Sequence, residues 1–342
     1  MNPIAGIALI ALGSIGAASF YVPFKKVKEW AWESYWIVQG FIAWIVAPWV
    51  AAYLTVPQGE LGAIFSSSPS SAKLWATIFG MLWGIGGLTF GLSIRYLGVA
   101  LGQSIALGLC AAFGTLLPPI IAGKNLFSTP GGILTVIGVS ICVAGIVIIG
   151  YAGALKSKGM SAEERQAAIK EFALKKGILI AILSGIMSAC FNFGYQAGAP
   201  IEEAALAHGV NALFQKNPSL IFILLGGFIT NLIYCLFLNI KNKTYTDYIR
   251  VSQKIFWNNV LFCSLAGILW FFQFLFFGMG VSKLPASMAI FGWSILMALN
   301  IAISNIWGIL LKEWKGSSSK TRLVLWIGIV ILILSTFVVN LG

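Results

Sequence analysis

Ten uncharged, hydrogen-bonding residues lie inside apolar stretches of this chain: Gln39, Thr89, Gln103, Ser104, Asn192, Gln196, Asn231, Gln273, Asn300 and Asn305. A side-chain amide brings both donors and an acceptor. Withdrawn from water, it must find partners either on a neighbouring helix or on a polar solute. Taken singly, each residue fits either use; as a group they suit a cavity for a neutral, hydroxyl-rich solute. Trp83 and Trp270 point the same way, because an indole offers an apolar face to sugar C–H groups together with one N–H donor. Both lie deeper in their apolar runs than Trp30, Trp32 and Trp314, which stand at run edges where tryptophan marks a membrane–water interface. Gln273 follows Trp270 by three residues and shares nearly the same helical face. The expected solute contacts are Trp83, Gln103, Asn192, Asn231, Trp270 and Gln273.

Groups that can change charge are scarce, with ten acidic residues and one histidine, His208. Glu33 opens an apolar run one turn before Trp36 and two before Gln39, while Glu202 and Glu203 follow another in "GAPIEEAALAHG". An ion-coupled carrier needs a titrating group at its cavity, and a carboxylate serves. Acids at helix starts also complement the helix dipole, so both uses stay open; Glu33 and Glu203 are the proton-coupling candidates. No pair of interrupted spans suggests a sodium site. Enzyme signatures are missing: there is no GxSxG, no Walker A loop and no HExxH, and a single histidine builds no multi-histidine metal centre. Cys110, Cys142, Cys190, Cys235 and Cys263 fall singly in apolar runs, without disulfide or zinc spacing. Neither metal nor cofactor is expected.

The elements that must hold these side chains follow from composition. Of 342 residues 59% are hydrophobic and 9% charged, and the mean hydropathy is +0.92, which describes a multi-pass membrane protein. Apolar windows delimit ten spans, roughly 4–23, 32–56, 73–95, 98–122, 131–153, 177–197, 218–239, 257–281, 285–311 and 322–341. The ninth is long enough to predict tilt or a break, and Pro118 and Pro119 predict a kink late in the fourth. The first span lacks a basic n-region and a cleavage site and reads as retained. The polar stretch "KSKGMSAEERQAAIKEFALKK" divides two five-span halves, giving residues 1–155, a connector at 156–176, and residues 177–342. The net charge of +12 does not indicate nucleic acid, because the cations stand at span ends rather than along a basic stripe. Eighteen of the 22 lysines and arginines fall in connectors after odd-numbered spans, including Lys25, Lys26 and Lys28 in "PFKKVK". By the positive-inside bias those connectors are cytoplasmic and both termini periplasmic.

An odd number of spans per half makes any internal similarity an inverted repeat. "LWGIGGLTFGLSIRYLGVA" aligns with "LWFFQFLFFGMGVSKLPAS": Trp83, Gly91 and Leu97 fall against Trp270, Gly278 and Leu284. "GAASFYVPF" likewise resembles "MSACFNFGY". Across nearly the whole chain, "SFYVPFKKVKEWAWESYW", "WGIGGLTFGLSIRYLGVALG", "WFFQFLFFGMG" and "LLKEW" resemble the L-rhamnose–proton symporter family of the drug/metabolite transporter superfamily. The resemblance implies an all-α, inner-membrane fold of ten helices in two inverted five-helix repeats, importing a 6-deoxyhexose, L-rhamnose first, with a proton. It places Glu33, Trp83, Arg95, Asn231, Trp270 and Gln273 at matching positions. The chain departs from the family pattern in "PASMAIFGW", which has no ionisable group, and at Gly87, where a polar residue would suit a sugar site. The expected partners are a small sugar, a proton and the lipid bilayer. The rival expectation is an exporter or exchanger of another small metabolite on the same fold.

The charge bias is open to direct test. A cysteine placed at Ser157, in the expected cytoplasmic connector, should react with a membrane-impermeant thiol reagent only after cells are opened. Labelling in intact cells would reverse the topology.

Overall fold

The structure is a computed structural model and describes residues 2–97, 99–123, 125–159, 174–310 and 314–338; a few side chains within these, Arg95 and Gln103 among them, lie outside the description. The described residues are helical, without strands. In chain order the helices are α1 (Pro3–Ser19), the short α2 (Tyr21–Phe24), α3 (Trp32–Phe41), a π-helical turn (Ile42–Val46), α4 (Ala47–Thr55), α5 (Glu60–Ser67), α6 (Ser70–Leu97), α7 (Val99–Ile121) and α8 (Pro130–Lys158). They continue as α9 (Leu174–Ala197), α10 (Ala199–Ala207), α11 (Asn217–Asn242), the short α12 (Asp247–Arg250), α13 (Gln253–Val281), the short α14 (Ala286–Ala289), α15 (Gly292–Leu310) and α16 (Ser319–Ser335).

Among the described residues eight helical stretches are long and apolar enough to cross a membrane. A shorter apolar helix, Ile105–Ile121 within α7, falls in the fourth expected span, and the 17-residue α16 in the tenth. Three spans are less regular than hydropathy suggests. The second contains the π turn, the sixth runs on past a turn at Gly198 into α10, and the ninth is broken at Ile290–Phe291 between α14 and α15. Most of the connector expected at 156–176 lies outside the described residues.

The chain forms two compact units, each assembled from both halves of the sequence. One unit comprises residues 8–84 and 194–282; the other comprises residues 1–7, 85–193 and 283–342. The cuts at 84/85 and 282/283 fall within or just after the third spanning helix of each sequence half.

In the unit of residues 8–84 and 194–282, glycines set the helix spacing. A Cβ on Gly80 of α6 would fall on the Ile223 carbonyl of α11, and one on Gly226 of α11 would fall on the Thr77 carbonyl of α6. The two backbones therefore touch, as small residues permit where no water competes. A Cβ on Gly16 of α1 would lie 2.6 Å from the Leu269 carbonyl oxygen of α13, and one on Gly267 of α13 would lie 2.8 Å from the Gln39 carbonyl oxygen of α3. One end of this unit is closed by an apolar cluster of Ala52, Val56, Ile64, Ile201, Ala205 and Ile221. Large side chains such as Ile233, Leu236, Phe237 and Ile240 of α11 point outward, as a lipid-facing surface requires.

The other unit packs α8 against α7 and α16. Trp293 of α15 lies against Gly114 of α7, donates its indole N–H to the Cys110 carbonyl at 3.2 Å, and stacks on Phe191 of α9 with centroids 5.6 Å apart. Beside it Thr115 and Ser294 share a hydrogen bond of 2.7 Å.

The α6–α11 crossing yields a stability test. Gly226→Leu forces side-chain volume onto the Thr77 backbone and should destabilise the purified protein by about 1–3 kcal/mol, read as a lowered Tm in detergent. An unchanged Tm would contradict the crossing.

Candidate functional site

Six aromatic rings in the unit of residues 8–84 and 194–282 form a closed circuit. From Trp270 it runs to Phe20 at 4.2 Å between centroids, then to Trp36 at 6.4 Å, Trp44 at 6.1 Å and Trp83 at 6.0 Å. It returns through Phe274, 5.5 Å from Trp83 and 6.3 Å from Trp270. All six pairs are edge-to-face, an arrangement that aromatic quadrupoles favour. The rings come from both sequence halves: from the residue between α1 and α2, from α3, from the π turn and from α6 on one side, and from α13 on the other.

Local sequence explains how the rings are held. Pro48 has no N–H to bond the Trp44 carbonyl, and its ring would crowd that oxygen in a regular helix. The backbone answers with one wide turn, in which the Ala47 N–H reaches back to the Ile42 carbonyl. That turn lays the Trp44 indole over Gly40, where a Cβ would meet ring carbons at 2.6 and 2.8 Å. Gly227 of α11 similarly makes room for the six-membered ring of Trp83. Trp36 is fixed by its N–H, which donates to Asn231 Oδ1 at 2.9 Å, while Asn231 Nδ2 donates to the Gly227 carbonyl at 2.8 Å.

At the start of α3 lies a buried polar network. Glu33, 6% exposed, accepts from Asn242 Nδ2 at 2.9 Å and Thr244 Oγ1 at 2.8 Å, both on the same carboxylate oxygen. Thr244 Oγ1 also stands 3.2 Å from Asn239 Oδ1, which in turn stands 3.3 Å from Ser34 Oγ. Ser34 Oγ donates to Asp247 Oδ2 at 2.7 Å, and the same oxygen accepts from the Ala31 N–H at 2.7 Å. The residue at the N-cap of α3 is Ala31, whose side chain has no oxygen. Asp247, from the segment after α11, supplies one from more than two hundred residues away. Among the described residues neither Glu33 nor Asp247 has an ion-pair partner.

The candidates named from sequence fall as follows. Trp83 and Trp270 are both members of the circuit, joined by Phe274. Asn231 touches it through Trp36. Gln273 is buried on α13, and its backbone carbonyl lies against Gly13 of α1. Asn192 belongs to the other unit, where its amide donates to the Gly114 carbonyl at 2.6 Å. The side chain of Gln103 lies outside the described residues. Glu33 is buried in the network at α3, whereas Glu203 is exposed. Its neighbour Glu202 is the inward acid, held by Lys216 Nζ at 2.6 Å and Ser219 Oγ at 3.3 Å.

Sequence reading did not find Trp44 or Asp247. Pro48 four residues after Trp44 was the available signal for the first; nothing in an exposed connector singles out the second.

Comparison with known proteins agrees with the resemblance. The profile of the L-rhamnose-proton symport protein family matches residues 2–342. Proteins named L-rhamnose-proton symporter from Yersinia pestis (strain Pestoides F) and Yersinia pseudotuberculosis (serotype O:1b, strain IP 31758) are each 38% identical to this chain. Each alignment covers 99% of this chain and 98% of the relative.

The anchoring of α3 can be tested by itself. Asp247→Ala removes the acceptor of the Ala31 N–H and the Ser34 hydroxyl and should cost about 1–3 kcal/mol of stability. Equal melting temperatures for this variant and wild type would show that Asp247 does not hold α3.

Proposed function

The chain belongs to the L-rhamnose-proton symport protein family over its whole length, and from that premise we propose that it imports L-rhamnose together with a proton by alternating access. The full-length family match carries this reading. The aromatic circuit supports it, since apolar ring faces with hydrogen-bonding edges suit a sugar and bring no positive charge to a phosphate or a carboxylate.

In this reading the chain crosses the bacterial inner membrane ten times, with α7 and α16 completing the count and both termini periplasmic. Its halves are inverted repeats on a drug/metabolite transporter scaffold. The interleaving of both halves in each compact unit favours duplication, as does the packing of Trp83 and Trp270, which the repeat alignment pairs, against the same ring, Phe274. Trp83, Trp270, Asn231 and Gln273 contact the sugar.

Proton coupling falls to Glu33, with Glu203 the alternative. Thr244 brings one hydroxyl hydrogen to two acceptors, Glu33 Oε1 and Asn239 Oδ1. With Glu33 ionised, the shorter contact to the carboxylate holds that hydrogen. A protonated Glu33 can itself donate to Thr244, and the hydroxyl then turns to Asn239. Glu33 and Trp36 lie one turn apart on α3, so the proton and the solute act on the same helix.

The measurement is L-rhamnose uptake into proteoliposomes under an imposed inward pH gradient, against sodium and no gradient. Wild type should accumulate sugar only with the pH gradient, and Glu33→Gln should lose that response. A wild type indifferent to the pH gradient would end the symport reading. A responsive Glu33→Gln would move the proton elsewhere, to Glu203 first.

A further inference from the structure

Three side chains around the circuit have buried polar atoms with no hydrogen-bond partner among the described residues. They are Gln39, through both its amide oxygen and its nitrogen, and Trp44 and Trp270, through their indole N–H groups. Gln39 has no exposed surface and Trp44 is 2% exposed. Among the described residues the other buried atoms in this condition, Asn300 Oδ1 and Ser317 Oγ, belong to the other unit.

The three are neighbours in the fold. Gln39 stands one turn after Trp36 on α3 and directly before Gly40, on which the Trp44 indole rests. Its backbone oxygen faces Gly267 of α13, one turn before Trp270. The contact of Gln39 with Gly267 therefore joins the helix that carries Trp36, and leads into the turn that carries Trp44, to the helix that carries Trp270. Together the group presents two indole donors, an amide donor and an amide acceptor, without net charge, among aromatic faces. In an apolar interior such groups are costly to leave bare, and an apolar side chain of similar size would avoid the cost.

We infer that Gln39, Trp44 and Trp270 are the hydrogen-bonding contacts of the transported sugar, withdrawn from water by the closed aromatic circuit until a hydroxylated ring enters among them. This rests on the sugar-import reading and adds two residues, Gln39 and Trp44, to the contacts proposed above. Sugar hydroxyls both donate and accept, so one ring can satisfy an amide and two indoles at once. The C–H faces and the methyl group of a 6-deoxy sugar meet Phe20 and Phe274. A ligand that is only apolar leaves the amide and indoles bare, and a charged one finds no counter-charge. The π turn acquires a purpose here: it seats the six-membered ring of Trp44 on Gly40, the residue after Gln39, and so fixes where the indole N–H stands.

The test titrates purified full-length protein with L-rhamnose, reading affinity by calorimetry and ligand-free Tm by thermal unfolding. The variants are Gln39→Met, Trp44→Phe and Trp270→Phe. Each should bind L-rhamnose at least tenfold more weakly, while the ligand-free Tm of Gln39→Met stays at or above wild type, since a bare buried amide has gone. The two phenylalanine variants keep an aromatic ring and lose the N–H, so they decide the matter if Gln39→Met does not fold. Wild-type affinity in Gln39→Met, or in both phenylalanine variants, overturns the assignment and leaves the rhamnose reading standing. If the wild type itself does not bind L-rhamnose, the same titrations run with L-mannose, its 6-hydroxy counterpart, and other neutral hexoses. A hexose whose binding needs Gln39 then sustains this inference and removes rhamnose as the substrate; the absence of any such hexose overturns both.

Discussion

Hydrocarbon offers no hydrogen bonds, and this constraint orders everything else in the molecule. Each polar group carried into a span must bring its partner along, and most here do so over one helical turn. Asn231, Asn239 and Asn305 donate to the carbonyl four residues back, and Ser14, Thr77 and Ser140 do the same with hydroxyls. Against that frugality the bare amide of Gln39 stands out, and so does its position, next to the glycine on which Trp44 rests and where α3 touches α13.

The second pressure is closeness. Without a hydrophobic drive between helices, association relies on contact between backbones, which Gly80 and Gly226 provide at one crossing and Gly16 and Gly267 at two others. These crossings fix α1, α3, α6, α11 and α13 tightly enough for six aromatic rings to meet. The polar network at α3 fixes a different degree of freedom. Asp247 at the start of α12 and Asn259 of α13 bind the backbone of Ala31 and Lys28, tying the entry of α3 to the far half of the sequence.

Much of this is written in the sequence, for physical reasons. Hydropathy marks the spans because the bilayer demands about twenty apolar residues per crossing, and the depth of Trp83 and Trp270 separates them from the interfacial tryptophans. Gln39 is visible as an amide in an apolar run, yet its lack of a partner is a property of three dimensions. Trp44 hides because hydropathy does not register what Pro48 does to the helix before it. Asp247 hides because its bonds go to a backbone N–H and a serine hydroxyl far away in the chain, which no local spacing encodes. Between the adjacent acids Glu202 and Glu203, a hundred degrees of helical rotation decides that the first meets Lys216 and the second meets solvent.

The wide turn at residues 42–46 also governs the phase of the second span. In a regular helix, residues four apart drift around the axis by about 40° per step, so a series from residue 36 to residue 52 would wander through about 160°. Yet Trp36, Gly40, Trp44, Pro48 and Ala52 are all buried, while Trp49 and Tyr53 face outward. The π turn takes back part of the drift. The second span thus behaves as a stave rather than a screw, keeping one face toward its own unit from the carboxylate network, past the aromatic circuit, to the apolar cluster beyond.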